Sequence, residues 1–198
     1  MKKSSILVLG TFIGVILFIA LIIFLYYKNM YNKEVTLNQQ VKGQWGNVES
    51  SYQRRADLIP NLVNTVKGYA EHEQETFRQV VEARAKATSM TINAENLNAE
   101  NMEQFQEAQA GLTSALSRLI AVAENYPDLK ANQNFLELQA QLEGTENRIN
   151  VERSRYNETV QKYNQFVLSF MVRLILHKEE KPYFESQEGS DIAPTVEF

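Results

Sequence analysis

From Ile6 to Tyr27 the chain carries 22 consecutive residues without a charge (ILVLGTFIGVILFIALIIFLYY), and this run constrains the whole of the chain beyond it. A bilayer core needs about 20 helical residues to cross. A cleavable signal peptide has an apolar region of only about 7–15 residues, followed by small residues at the cleavage site. Here the run passes straight into Tyr26-Tyr27-Lys28, an aromatic and cationic border of the kind found at a membrane interface. A lipoprotein anchor would need a cysteine, and the 198 residues contain none. Residues 6–27 therefore read as a single uncleaved transmembrane helix behind a short N-terminal tail, residues 1–5. The lipid bilayer is the first expected partner, and the cell membrane the expected location. Lys2 and Lys3 precede the run, while Lys28, Lys33 and Lys42 come after it. The positive-inside rule weighs the two ends. The two sides nearly balance, and the amino-terminal pair tilts the reading toward a bundle outside the cytoplasm.

The residues beyond the run suffice for one domain of ordinary size. Without cysteine, disulfides, thiol catalysis and thiolate metal sites are excluded. The 20 basic and 24 acidic side chains are interspersed, for a net charge of −4, so there is no field of the kind that draws nucleic acid. Only four prolines and eight glycines occur, and the wealth of Ala, Glu, Gln and Asn favours long helices over a β fold.

Periodicity supports the same class. Val41, Trp45, Val48, Tyr52, Ile59, Val63, Val66, Ala70, Phe77 and Val80 recur in steps of three, four or seven, the seam of a helix packed on neighbours. Pro60 interrupts the pattern. An interior proline removes a backbone hydrogen bond and costs about 3 kcal/mol, so the spacing predicts either one bent helix from about Tyr31 to Ala87 or two stacked pieces, with Asp57 placed to cap a restart. The polar stretch Thr88–Asn101 reads as a loop. A second seam runs through Phe105, Leu112, Leu116, Leu119, Ala123 and Tyr126 and ends at Pro127-Asp128. A third runs through Phe135, Leu138, Leu142, Ile149, Tyr156, Val160, Tyr163, Val167 and Phe170. Short connections make successive helices antiparallel. The expected fold is thus all-α: the transmembrane helix, then an antiparallel up-and-down bundle of three long helices over residues 28–178, or four if the first breaks at Pro60. Residues 179–198, with two prolines and many acids, read as a flexible tail. The middle helix is too short to cover the other two, so exposed seam and self-association are expected.

With these segments placed, several stretches resemble the LemA family of bacterial membrane proteins. They are Gln53-Arg54-Arg55-Ala56-Asp57-Leu58-Ile59-Pro60-Asn61-Leu62-Val63, Thr65-Val66-Lys67-Gly68-Tyr69-Ala70 and His72-Glu73, then Tyr126-Pro127-Asp128-Leu129-Lys130-Ala131-Asn132 with Asn134-Phe135. Glu143, Thr145-Glu146-Asn147-Arg148-Ile149, Tyr156-Asn157, Tyr163-Asn164 and Lys181-Pro182-Tyr183-Phe184 complete the match. The resemblance implies one N-terminal membrane segment and an up-and-down helical bundle, and it implies no enzyme activity. The family usually places a proline after the phenylalanine equivalent to Phe170. Here Met171 stands in that place, so the third helix is free to run on toward His177.

Candidate sites are few. His72, in Glu71-His72-Glu73-Gln74-Glu75, lacks the second histidine four residues on that a helical zinc site needs, because position 76 is Thr. A solvated helix face is the plainer reading, and neither a metal nor a cofactor is expected. No Ser/His/Asp set, phosphate loop or nucleophile elbow can be read, which excludes the common catalytic classes. Arg54, Arg55 and Asp57 lie beside the seam residues Tyr52 and Ile59, and Glu146 and Arg153 lie near the third seam. Charges close to a seam are normally paired, because an unpaired buried charge costs several kcal/mol. These five are expected to form an interhelical polar layer; the alternative is a ligand pocket between helices. Gly10 and Gly14 form a small-xxx-small pair that lets two membrane helices approach. Phe166–His177 is apolar except for Ser169, Arg173 and His177. It is too short to cross a bilayer. Bundle core is one reading, and an assembly contact through Phe170 and Arg173 or a membrane-surface helix is the other. The resulting expectation is a non-catalytic membrane-anchored scaffold, adaptor or homo-oligomer with an unidentified protein partner and no nucleic acid. The alternative is a sensor or transport accessory that binds a small ligand or cation between helices.

Overall fold

The computed structural model describes residues 2–185, with side chains from residue 9 onward. Every regular element among them is helical: α1 (Lys2–Lys67), α2 (Gln74–Ser89), α3 (Ala99–Ala123), the single turn α4 (Pro127–Lys130), α5 (Gln133–Val167) and α6 (Phe170–Leu176). The all-α class holds. The helix begins at Lys2, so the expected N-terminal tail is helical from its second residue. From Leu9 to Asn29 every side chain is exposed, and burial starts at Met30, three residues past the end of the apolar run. One unbroken helix therefore serves as candidate membrane span and as first helix of the bundle.

Pro60 does not end the helix; α1 runs through it to Lys67. A proline at this position has no N–H for the carbonyl of Ala56, four residues back, and Ala56 is buried. Arg84 of α2 supplies the missing donor, its Nε bonding the Ala56 carbonyl at 2.8 Å. With that acceptor satisfied from outside, the main reason for a break is gone. The helix ends instead at Gly68, a poor helix former, and the turn Gly68–Glu73 leads into α2. The bundle therefore has four packed helices, but the division falls eight residues beyond the proline.

α1 packs chiefly along α5, and α2 along α3. Each new helix is started by its own sequence. Asn98 and Asn101 form a reciprocal cap on α3, each side-chain oxygen accepting from the other's backbone N–H at 2.9 and 3.0 Å. The Asn132 side chain accepts from the Phe135 N–H and opens α5, while α4 begins with Pro127 and buries Leu129 completely. α5 ends at Leu168–Ser169 without a proline, where the Ser169 hydroxyl donates to the Phe166 carbonyl at 2.8 Å. The third helix thus stops short of His177, and its continuation is the separate helix α6.

The core forms two clusters. The one farther from the apolar run gathers Ile59, Leu62 and Val66 of α1 with Phe77 and Val80 of α2, Leu112 and Leu119 of α3 and Leu142 of α5. The one nearer the apolar run centres on Trp45 with Val41, Tyr52, Phe105, Ile149 and Tyr156. Two segments expected to be a loop and a flexible tail contribute to it. The loop after α2 buries Ile92 and Leu97, and the Ile92 carbonyl accepts from the Trp45 indole at 3.1 Å. Beyond α6 the chain runs extended, and Phe184 is inserted between Trp45, Phe105 and Tyr156, with ring centroids 5.3–6.4 Å apart. So part of the tail expected to be flexible is core; its remainder, residues 186–198, lies outside the described residues. The seam left open by the middle helix is closed by these two segments.

The Pro60–Arg84 relationship is open to a double-mutant cycle. Arg84→Ala leaves a buried carbonyl unpaired and is expected to cost about 1–3 kcal/mol. In a Pro60→Ala background the backbone N–H restored at position 60 takes over the acceptor, so the same change costs clearly less. Denaturation followed by Trp45 fluorescence measures both; additive costs would count against the account.

Candidate functional site

Between the two apolar clusters lies a polar layer, one side chain deep. Arg55 sits on α1 between Tyr52 and Ile59 and is almost completely buried. Its Nη1 donates to Glu146 Oε2 of α5 at 2.8 Å and to Thr113 Oγ1 of α3 at 3.0 Å. Its Nη2 donates to Gln109 Oε1 at 2.7 Å, and Gln109 Nε2 in turn reaches the Ala87 carbonyl of α2 at 3.4 Å. The guanidinium lies over the Tyr52 ring, 5.1 Å from its centroid, a cation–π contact. One planar cation thus ties together groups from all four helices, the last of them through Gln109. Such a fork has five N–H donors, and Arg55 Nε is buried without a partner.

The other charges expected here are placed differently. Arg54 and Asp57 are exposed, one residue and two residues from Arg55 and therefore rotated away from the seam, and Asp57 accepts from Gln53 Nε2 at 2.7 Å instead. Arg153 turns to the C-terminal segment, its guanidinium 5.0 Å from the Phe184 centroid and its Nη2 donating to the Glu185 carbonyl at 2.7 Å. It still borders, with Tyr52, Gln109, Thr113 and Glu146, an open cleft of about 870 Å³ beside the layer. Burial pushes the Tyr52 hydroxyl above its ordinary range, against the lowering pull of the Arg153 and Arg55 charges. The cleft offers two guanidinium groups and several carboxylates but no paired nucleophile and base. Among the described residues no group of three His, Asp or Glu side chains converges as a metal site. His72 and His177 are both exposed.

The C-terminal segment is held by a device that no sequence motif announces. The Asn164 amide pairs with both backbone groups of Lys181, at 2.8 and 2.9 Å. Asn157 does the same with Phe184, again at 2.8 and 2.9 Å. Seven helical residues span about 10.5 Å and three extended ones about 10 Å, so the two asparagines match the spacing of the peptide groups they hold. Tyr156 adds a bond from its hydroxyl to the Pro182 carbonyl at 3.1 Å. Nearer the apolar run, Glu34 is buried beside the Tyr163 hydroxyl at 3.5 Å and Lys178 at 3.6 Å. Burial first, and the Glu34 charge second, push Tyr163 up to about 12; burial raises Tyr156 as well.

Gln109, Thr145, Glu152, Asn164 and Glu34 are buried polar residues that hydropathy alone passes over. Their shared signal is a polar side chain at seam spacing: Gln109 falls between Phe105 and Leu112, Glu34 four residues past Met30. The assembly candidates remain uncovered in the isolated chain. A Cβ on Gly10 or Gly14 would meet nothing within 4 Å, Arg173 is exposed, and Phe170 is 79% exposed.

Comparison with known proteins gives a family and three informative relatives. The LemA family profile matches residues 44–198. Magnetosome protein MamQ 2 of Paramagnetospirillum magneticum is 25% identical, over 81% of this chain and 66% of its own length. Magnetosome protein MamQ of Magnetospirillum gryphiswaldense is 23% identical with the same coverage. Protein LemA of Metamycoplasma hominis is 20% identical over 79% of this chain and 68% of its own. The chain thus spans just under two thirds of the MamQ relatives.

This geometry has two measurable outcomes. Arg55→Met strands several acceptors in the core and is expected to cost about 3 kcal/mol or more. Glu146→Gln, at a 40% exposed side chain that keeps an acceptor oxygen, should cost about 1 kcal/mol or less. Equal losses in chemical denaturation would mean that the layer is not organised around the arginine. The raised Tyr52, Tyr156 and Tyr163 hydroxyls hold their protons in the folded chain above the unfolded value of 10. Their contribution to stability is therefore complete below about pH 10 and declines as pH rises through the folded values. Thermal midpoints measured in detergent across this range should fall more gently for Tyr163→Phe; an unchanged slope would contradict the assignment.

Proposed function

The chain belongs to the LemA family, and from that premise we propose that it is a membrane-anchored, non-catalytic platform at the bacterial cell envelope, a scaffold or adaptor that assembles with a protein partner or with further copies of itself. One observation carries this reading. α1 continues from the apolar run into the bundle without a linker, so the bundle is held at a set height over the membrane. A helix rises about 1.5 Å per residue, and Met30–Lys67 extends the rod about 57 Å beyond the apolar run. A tethered enzyme or a mobile sensor is served by a flexible joint, whereas a rigid rod suits a protein that positions others. The relatives named as magnetosome proteins carry names that state no reaction.

A second reading has one observation in its favour. Arg55, whose Nε is a buried donor with no partner, borders a cleft that also presents Arg153 and Gln109, and a small polar ligand in that cleft would make the bundle a sensor.

Carbonate washing of native membranes, followed by cross-linking of intact cells, tests the platform reading. The expected result is a carbonate-resistant protein captured in a cross-linked species of defined composition, with a melting temperature unmoved by metal ions or metabolites. Release by carbonate would overturn the anchor. Strong thermal stabilisation by a small molecule, with no captured species, would favour the sensor.

A further inference from the structure

Outside the run in α1, the helix α6 carries four large apolar side chains that stay exposed close together, Phe170, Met171, Leu174 and Ile175. At about 100° per residue, Phe170, Leu174, Met171 and Ile175 fall within one arc of about 140°. Val172 points away from that arc and is buried. The outward face has no cover: Phe170 is 79% and Leu174 59% exposed, and Leu168 and Met171 extend the same patch.

Its place in the fold identifies what covers it. Val172 and Ser169 border the same cleft as Tyr26, Asn29 and Met30, and Met30 stands about 4.5 Å along the axis from Tyr27, where the apolar run ends. α6 is therefore fixed at the level where α1 passes from lipid to water. Cations ring this level. Lys28 adjoins the run, Lys33 lies 5.0 Å over the Phe166 ring, Lys162 borders the same cleft, Arg173 flanks the apolar arc and Lys178 approaches Glu34. Glu179 and Glu180 come next, where the chain turns back. Apolar side chains on one face with Lys and Arg at the flanks are what an interfacial helix needs, the long cationic stems reaching phosphates while the apolar face enters the acyl boundary.

We propose that α6 is a membrane-surface helix: its Phe170–Met171–Leu174–Ile175 face lies in the headgroup and upper acyl layer of the same bilayer that α1 crosses. This rests on the anchored reading above. A second copy could cover the same residues, but α1 already delivers this face to lipid within one chain. The two attachments act together: α1 sets the height of the rod, and α6, on one side of it, sets the tilt and the rotation about its axis. The bundle then presents the same flank to a neighbour in every copy.

Because the chain lacks cysteine, single spin labels can be placed without ambiguity in the full-length protein in nanodiscs containing phosphatidylglycerol. The sites are Phe170→Cys and Leu174→Cys on α6, Ile16→Cys in the apolar run, and Val81→Cys on the exposed face of α2. Collision with lipid-soluble oxygen and with a water-soluble nickel complex gives the depth of each. The expected result is a ratio of oxygen to nickel collisions at 170 and 174 several-fold above that at 81, with 16 deeper still. Labels at 170 and 174 that match 81, while 16 remains in lipid, would overturn the proposal and leave the anchor standing. Shielding from both reagents with coupling between labels would assign the face to a second copy and also overturn it. An aqueous label at 16 would remove the anchored reading and this inference together.

Discussion

On the anchored reading, α1 has to be stable against two different solvents along one backbone, and the rest of the structure is arranged around that demand. In a hydrocarbon layer every peptide group needs an internal partner, which a helix provides by itself. Beyond Met30 the same helix is amphipathic and needs tertiary contacts, because isolated helices are marginal in water. α5 meets the need by packing along α1 and burying Val41, Trp45, Val48 and Ile59 from one side. The passage from one regime to the other takes less than a helical turn. A flexible joint there would expose peptide groups at the boundary and let the bundle swing, whereas continuity joins core and span mechanically.

Within the bundle, apolar packing gives most of the stability and polar contacts give the register. Two stacked greasy clusters could slide by a turn relative to each other with little change in buried area. The Arg55 layer forbids it, since the cation has to meet Glu146, Thr113 and Gln109 at one level. The asparagine pair on α5 acts in the same way on the returning chain: a shift of one residue would turn Phe184 out of the aromatic cluster and leave four hydrogen bonds unmade. Arg84 at the Ala56 carbonyl is a third case, tying the proline turn of α1 to one position along α2. Each is a polar group serving alignment, as buried polar residues do where register has to be unique.

Much of this was legible in the sequence. The uncharged run gave the candidate span, and seam residues such as Val41, Trp45, Val48 and Ile59 gave the helices and their inward faces. Arg55 and Glu146 stood out because charges near a seam demand partners. Arg54 and Asp57 were grouped with them by proximity in sequence, yet one residue along a helix is a rotation of about 100°, enough to move a side chain from core to water. Pro60 misled because the penalty for an interior proline is defined for a helix alone, and the donor that relieves it lies on α2, 28 residues along the chain from Ala56. The strap was hidden for a different reason. Lys181–Glu185 has no periodicity, and its composition resembles a disordered tail; what fixes it is a match between the rise of a helix and the rise of an extended chain, recorded only in the spacing of Asn157 and Asn164. The resemblance to LemA proteins included both asparagines and Lys181-Pro182-Tyr183-Phe184, but a set of shared residues does not say that they touch.

The course of the chain after α5 also makes sense against the bilayer on the anchored reading. α5 runs antiparallel to α1, and Phe166 lies beside Lys33. Ten more helical residues in a straight line would advance about 15 Å, carrying Arg173 and His177 alongside the span. An arginine costs about 2.5–3.5 kcal/mol at the centre of a span on insertion scales. The break at Leu168–Ser169 avoids this by redirecting the chain where the lipid begins, and α6 keeps the apolar residues at that level without taking the cations inside. His177, in the left-handed conformation with φ of 48°, then turns the chain back toward water. Lys178 reaches Glu34 and the segment beyond it enters the asparagine clamp. The same ten residues that would be untenable as a continuation of α5 are compatible with a path across the membrane surface, and the strap that completes the Trp45 cluster is placed by that detour.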